Sequence, residues 1–201
     1  MLRISGGSLR GRRFAAPKGR ATRPTQEKVR EALFSAIQNL ADLQGAAVWD
    51  LFAGSGALGI EALSRGAGRA WFVESHPPTA AAIRANLRGL GLPADGWQVV
   101  TARVESWLAR GGSHGNPQAP PALVLLDPPY RAGLAEGVLA AIAAAPAVAP
   151  GCLVALEAAS GFNPPPLAGL ELLRTKRYGD TEILLFHKTE NSRAKETEEA
   201  P

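Results

Sequence analysis

Cysteine occurs once in the 201 residues, as Cys152, which excludes an intrachain disulfide framework and a cysteine-based zinc site. The three histidines, His76, His114 and His187, are far apart and lack metal-ligand spacing, so no metal site is expected. No run of about 18 uninterrupted apolar residues exists, which argues against a membrane span. The Ala/Pro-rich stretch 134–154 comes nearest, but Pro146, Pro150 and Gly151 break it. The opening residues, Met1 to Gly6, lack the apolar core of a secretory signal. A lone cysteine is compatible with a reducing cytosol, and a cytoplasmic protein is the expectation. Acids are nearly missing from the first thirty residues. Glu27 stands alone there against Arg3, Arg10, Arg12, Arg13, Lys18, Arg20, Arg23, Lys28 and Arg30. That segment carries +8, whereas the whole chain carries +4, so the rest is mildly acidic. A basic arm on an acidic body points to a polyanionic partner, and a solvated terminus is the bland alternative.

The length suits one domain with a substantial core. Leu2–Ile4 and Arg13–Ala15 read as a small hairpin around Gly6, Gly7 and Gly11. Val29, Leu33, Ile37 and Leu40, with Ala32 and Ala36, recur at helical spacing and predict a helix over 25–40. From residue 46 onward, apolar strand runs alternate with helical patterns. The strands are expected at 48–52, 69–74, 97–100, 122–127 and 152–157, with Cys152 a small core hydrophobe. The helices are expected at 57–65, 78–90, 104–109 and 134–145. A Gly/Pro/Ser/Asn loop fills 111–121. Two last apolar runs, 170–175 and 183–186, read as an antiparallel hairpin. Residues 189–201 are charged and polar and read as a disordered tail. The expected architecture is α/β: a doubly wound, mostly parallel sheet. Ligands in such sheets bind outside the carboxyl ends of the strands, at the switch point.

Two motifs fall at that edge. After the first strand of the alternating region, Gly54, Gly56 and Gly59 satisfy G-x-G-x-x-G, and Glu74 ends the next strand 18 residues past Gly56. Glycines let a backbone approach a ligand closely, a helix start offers free N–H groups, and a terminal carboxylate can accept from a ribose diol. Asp50, just before the glycines, suits a ligand with a cationic part, which a dinucleotide lacks. The fourth strand ends in Asp127-Pro128-Pro129-Tyr130. The prolines remove two donors but keep their carbonyls, so the turn presents acceptors beside a flat ring. An exocyclic amine on a planar base fits that array: Asp127 and the Pro128 carbonyl accept its N–H groups, and Tyr130 stacks on the base. A tight strand–helix turn and a rigid Pro-Pro stop are the structural alternatives.

Together these residues resemble class I S-adenosylmethionine-dependent methyltransferases that modify amino groups. The stretches Arg10-Gly11-Arg12, Thr22-Arg23-Pro24-Thr25 and Val29–Phe34, with Leu51–Gly59, Glu61–Ala67, Glu74, Asn86-Leu87 and Asp127–Tyr130, are similar to the RsmD family from about residue 2 to 188. The resemblance implies a seven-stranded Rossmann-like methyltransferase sheet with an antiparallel C-terminal strand and a small N-terminal β-hairpin extension. It divides the chain into a basic arm and substrate loop (1–24), a methyltransferase domain (25–188) and a tail (189–201). It implies S-adenosyl-L-methionine as cofactor, bound by Asp50, Phe52, Ala53, Gly54, Ser55, Gly56, Ala57, Glu74, Ser75, Arg103, Val104 and Asp127. It implies methyl transfer to N2 of one guanine in 16S rRNA of the small ribosomal subunit, with Asp127, Pro128, Pro129 and Tyr130 catalytic. Arg10, Arg12, Arg13, Arg20 and Arg23 would contact rRNA phosphates or order the substrate loop. One departure stands out. Relatives often carry Asp or Asn beside Ala after the third strand, where this chain has Ala102-Arg103-Val104, and arginine cannot accept a hydrogen bond. The Val104 backbone, the Glu105 side chain or a looser adenine site are the three ways around it. D-P-P-Y alone also permits an adenine-N6 or other amino methyltransferase acting on DNA, tRNA or protein. The glycine turn alone permits a nicotinamide-dependent oxidoreductase or a catalytically silent RNA-binding protein. A monomer is the default expectation.

Overall fold

The computed structural model describes residues 1–16, 24–112, 120–129 and 133–190. A two-stranded hairpin, β1 (Leu2–Arg3) and β2 (Arg13–Phe14), precedes α1 (Pro24–Gln38). Then follow β3 (Ala47–Leu51), α2 (Ala57–Ser64), β4 (Arg69–Glu74), α3 (Pro77–Gly89), β5 (Trp97–Thr101) and α4 (Val104–Ala109). The chain closes with β6 (Leu123–Leu126), α5 (Leu134–Ala144), β7 (Leu153–Ala159), β8 (Leu170–Tyr178) and β9 (Thr181–Lys188). The main sheet has seven strands in the order β5-β4-β3-β6-β7-β9-β8. Only β9 runs against its neighbours β7 and β8; the remaining pairs are parallel. The expected doubly wound sheet and its reversed C-terminal strand are therefore present. The order reverses between β3 and β6, so the crevice opens at their carboxyl ends.

The sheet is covered on both sides, and the strand sequences show why. Leu123 to Leu126 are all buried, and they alternate between two cores. Leu123 and Leu125 join the core under α1, α2 and α3, whereas Val124 and Leu126 join the core under α4 and α5. A strand buried on both faces must be apolar at every position. The edge strand β8 is exposed along most of its length and carries Arg174, Lys176 and Arg177 with a bulge at Leu172/Arg174, features that discourage strand addition. Both strands of this hairpin run longer than their apolar cores predict, because edge pairing tolerates polar residues.

Several details depart from expectation. Helix α1 ends at Gln38, and Leu40 is 43% exposed; the chain turns away there, so its helical spacing no longer matters. Phe34, outside the predicted stripe, is fully buried. The hairpin is not a free arm. Ile4 and Phe14 are buried in the same core as Val29, Leu33 and Ile37 of α1. Residues 113–119 of the expected loop, and 191–201 of the expected tail, lie outside the described residues. Among the described residues, no helix is long and apolar enough to cross a membrane.

Candidate active site

Strand β3 delivers Asp50 and Leu51 to the carboxyl edge, and the backbone then bends sharply. Phe52 takes a left-handed conformation (φ 63°), which a bulky L-residue adopts rarely. Gly54 and Gly56 follow with positive φ, where glycine carries no Cβ penalty. Gly59 serves a different purpose. A Cβ there would meet the Phe72 ring at 2.3 Å, so its lack of a side chain lets α2 lie directly on β4. The turn is held from two sides. The Ala53 N–H donates to the Val73 carbonyl at 3.0 Å, and the Gly54 N–H donates to Glu74 Oε2 at 2.9 Å. The other Glu74 oxygen accepts from the His76 N–H at 2.8 Å. The acid that ends β4 thus organises both loops while keeping lone pairs for a ligand.

Asp50 is 1% exposed, and its Oδ2 accepts from the Gly59 N–H at 2.9 Å, in the first turn of α2. That helix has no side-chain cap of its own, so Asp50 fills the part from the preceding strand. Burial pushes its carboxyl well above the ordinary carboxylate range. The Gly59 amide opposes the rise, and the nearby charges of Asp127 and Glu74 add to it. Three carboxylates therefore converge beneath one crevice, an arrangement that a cation would relieve.

The crevice holds a cavity of about 810 Å³. Of the residues singled out in the sequence, Phe52, Gly54, Glu74, Ser75, Arg103, Val104, Asp127 and Pro129 line it. Asp50, Ala53, Ser55, Gly56, Ala57 and Pro128 lie outside its described wall; Asp50 supports the turn from below. Thr79, Glu105, Gly133 and Leu134 also line it. Thr79 and Leu134 escaped sequence reading because nothing in a helix's first turn marks which residue faces a neighbouring loop. Arg103 and Glu105 form an exposed ion pair at 3.6 Å, so the donor-only arginine comes with an acceptor beside it. Tyr130, Arg20 and Arg23 lie outside the described residues.

The other arginines sit elsewhere. Helices α2 and α3 start at the carboxyl edge and end at the amino edge, and the N-terminal segment is fastened to their ends. The Ser8 N–H donates to the Ser64 carbonyl at 2.6 Å, and the Leu9 N–H donates to Ser64 Oγ at 3.0 Å. Arg12 donates to the carbonyls of Leu90 (2.7 Å) and Gly89 (3.3 Å), capping the C-terminus of α3. Arg10 and Arg13 are exposed in the same hairpin. These three arginines are therefore not gathered with the cavity. Sequence could not foresee this, because the partners that place the hairpin, Ser64 and Leu90, are 55 and 78 residues away from Leu9 and Arg12. Of the remaining candidates, His76 lies at the start of α3 with Nδ1 2.9 Å from Thr79 Oγ1. Cys152 is buried, and burial raises its thiol to about 12.

The strand order, the reversed last strand and the glycine turn with its acid define the Rossmann-like methyltransferase fold class. The chain belongs to the RsmD family: the family model described as Conserved hypothetical protein 95 matches residues 2–187. It is 39% identical over 135 residues to Ribosomal RNA small subunit methyltransferase D of Escherichia coli strain K12. That match covers 67% of this chain and spans 63% of the length of the Escherichia coli protein. It is 33% identical to the Bacillus subtilis protein YlbH, covering 93% of this chain and 99% of that one. The solved structure of yhhF from Escherichia coli superposes with a TM-score of 0.77 at 32% identity, covering 94% of this chain and 98% of that one.

Proposed function

We propose that this protein transfers a methyl group from S-adenosyl-L-methionine to the exocyclic N2 of a guanine in small-subunit 16S rRNA. The observation that carries the reading is the placement of Asp127 and Pro129 in one cavity with Gly54 and Glu74. A nucleoside-binding turn and an amine-accepting turn then share a single wall. The residues present fit the cofactor. Glu74 has acceptor capacity for a ribose, and the convergent carboxylates suit a ligand with a positive sulfonium and ammonium. The cavity lies within the usual range for small-molecule sites, about 300–1,000 Å³. Phe52, Gly54 and Glu74 would hold the cofactor, with Ser75, Arg103, Val104 and Glu105 at its adenine end. The cofactor supplies a methyl group on a sulfonium, whose departure leaves a neutral thioether.

The protein's part is orientation and charge placement. A guanine N2 is a weak nucleophile, because its lone pair is delocalised into the ring. Asp127 and the Pro128 carbonyl accept its two N–H groups, which draws the nitrogen toward sp³ and aims the lone pair at the methyl carbon. As the new N–C bond forms, the nitrogen sheds a proton, which Asp127 takes and passes to solvent. Tyr130 stacks on the base, worth about 1–3 kcal/mol. Family membership and the similarity to an enzyme named for small-subunit rRNA support RNA as the acceptor.

The test is methyl transfer from labelled cofactor to small ribosomal subunits that lack native modification, followed by nucleoside mass spectrometry. N2-methylguanosine at one site is the expected product. N6-methyladenosine, or no methylated nucleoside, overturns the acceptor assignment. Saturable binding of NAD without binding of S-adenosylmethionine overturns the cofactor assignment.

A further inference from the structure

The cavity wall is divided along the sheet. Phe52 and Gly54 follow β3, Glu74 and Ser75 lie at the end of β4, and Arg103 and Val104 follow β5, whereas Asp127 and Pro129 follow β6. With the cofactor over β3, β4 and β5, an acceptor reaches Asp127 from the opposite side, where β7, β9 and β8 continue the sheet. The register fixes how β8 meets the site. Leu126 pairs with Leu156, Leu156 with Leu184 and Leu184 with Thr175. Because β9 runs against both β7 and β8, β8 points the same way as β6. Lys176, one residue past Thr175, is therefore level with Asp127, three strand spacings or about 14 Å across the sheet.

The carboxyl half of β8 is basic and sorted by face. Residues 172–179 hold Arg174, Lys176 and Arg177 and no acid. Residues directly opposed across a strand pair share a face. Arg174 opposes Leu185 and Lys176 opposes Ile183, both in the core under α1, α2 and α3. Half-buried Tyr178 packs on that same core, and its ring lies 5.3 Å from the Lys176 ammonium. Arg174 and Lys176 are exposed, and among the described residues neither is in an ion pair. Two acids share the face at a distance: Glu171 lies toward the amino edge beyond the bulge, and Glu157 lies two strands in. Arg177 is on the other face, opposite Glu182, with its Nε on the Gly179 carbonyl. Guarding the edge against strand pairing accounts for charge on β8 but not for this sorting. The exposed Leu172 and Leu173 lie in the other half, while the cations gather at the edge where the site opens. Leu172 opposes Phe186 on the far face, so it offers the cations no apolar anchor for a protein partner. Cations on such a face suit phosphates.

Resting on the RNA methyltransferase reading, we propose that Arg174 and Lys176, with Tyr178 steadying the lysine, form an RNA-docking strip beside the crevice that grips backbone phosphates of the strand carrying the target base. At one phosphate per 3.4 Å of helical strand, the 14 Å from Asp127 to the strip spans about four phosphates. Residues two apart on a strand stand about 6.7 Å apart, so the two cations match phosphates about two steps from each other. The sheet is rigid between them and Asp127, so the strip sets the direction from which the base arrives.

The experiment compares the full chain with its Arg174→Glu/Lys176→Glu variant, using a small-subunit rRNA transcript over a range of salt. The variant should bind about tenfold or more weakly, and its slope of log K against log salt should fall in magnitude by about 1.4, as for two lost contacts to a single strand. In methyl transfer KM should rise while kcat stays within about twofold, because the strip touches no reacting atom. Glutamates still guard the edge, so the variant should not aggregate and should melt near the wild-type temperature. Arg174→Gln/Lys176→Gln should give a smaller shift of the same sign. Arg177→Gln, on the other face, should leave affinity within about twofold. Unchanged affinity and salt slope in both paired variants overturn the proposal, as does an equal loss in Arg177→Gln, which would indicate net charge without a site. A wild type that binds no transcript overturns it too. So does a paired variant that binds the transcript normally yet no longer methylates assembled subunits, which would indicate a protein partner. Transcript binding that depends on Arg174 and Lys176 without any methyl transfer overturns the enzyme reading and leaves this surface standing.

Discussion

At Asp127 a carboxylate stands just past the end of β6 and lines the cavity together with Pro129. Asp127→Ala should lower methyl transfer by about 10²–10³-fold or more, as expected for removing a group aimed at developing charge. Its melting temperature should stay near the wild-type value, and near-normal turnover would remove Asp127 from the reaction. Asp50 behaves differently, since its carboxyl caps α2 from below and burial holds it above the usual carboxylate range. A carboxyl whose folded value is raised loses stability as pH climbs from the unfolded value through the folded one. Asp50→Asn keeps an oxygen for the Gly59 N–H, so it should cost little stability and flatten that decline. Asp50→Ala orphans the Gly59 N–H and should cost about 1–3 kcal/mol in urea unfolding. Sequence reading singled out Asp50 for its charge beside the glycines. Its capping of α2 was hidden, because a strand residue reaches a helix nine positions later only through the folded turn.

Among the elements, the N-terminal hairpin and α2 are joined by one buried acid. Glu61 accepts from the Ser5 N–H (3.0 Å), Ser5 Oγ (2.7 Å), Arg30 Nε (3.2 Å) and Arg65 Nε (2.9 Å). Arg30 also donates to the Arg3 carbonyl. Burial raises the Glu61 carboxyl, but the Ser5 and Arg65 hydrogen bonds and the Arg30 charge outweigh it, and the net shift is downward. A depressed carboxyl contributes stability above its unfolded value and loses it as pH falls through the folded value. Unfolding free energy should therefore fall below pH 4.5 in the wild type, and Glu61→Gln should blunt that fall. At neutral pH the same substitution leaves two arginines short of their partner and should cost about 3–5 kcal/mol. Element identities were legible because apolar spacing differs between helices and strands, as in Val29, Leu33 and Ile37 against Leu123–Leu126. Which elements Glu61 would tie together was not, since its partners Ser5 and Arg30 are 56 and 31 residues away.

For the whole molecule, the consequence is that the basic N-terminus belongs to the core. Deleting residues 1–15 removes Ile4 and Phe14 and strips Glu61 and Asn86 of partners. The truncated chain should melt well below the full one, whereas loss of a solvated arm would leave the melting curve unchanged. Local sequence was enough to read the alternation of strands and helices, the glycine turn with Glu74, and the Asp127-Pro128-Pro129 turn. Each of these is written in local spacing, in side-chain patterns of two or 3.6 residues or in backbone conformations that few residue types permit. Only the folded chain shows that Arg12 caps α3, that Asp50 caps α2, that Glu61 anchors the hairpin, and that Arg10 and Arg13 are exposed in that hairpin and do not line the cavity. Those are contacts between residues far apart in number, and long-range packing, not local pattern, chooses them.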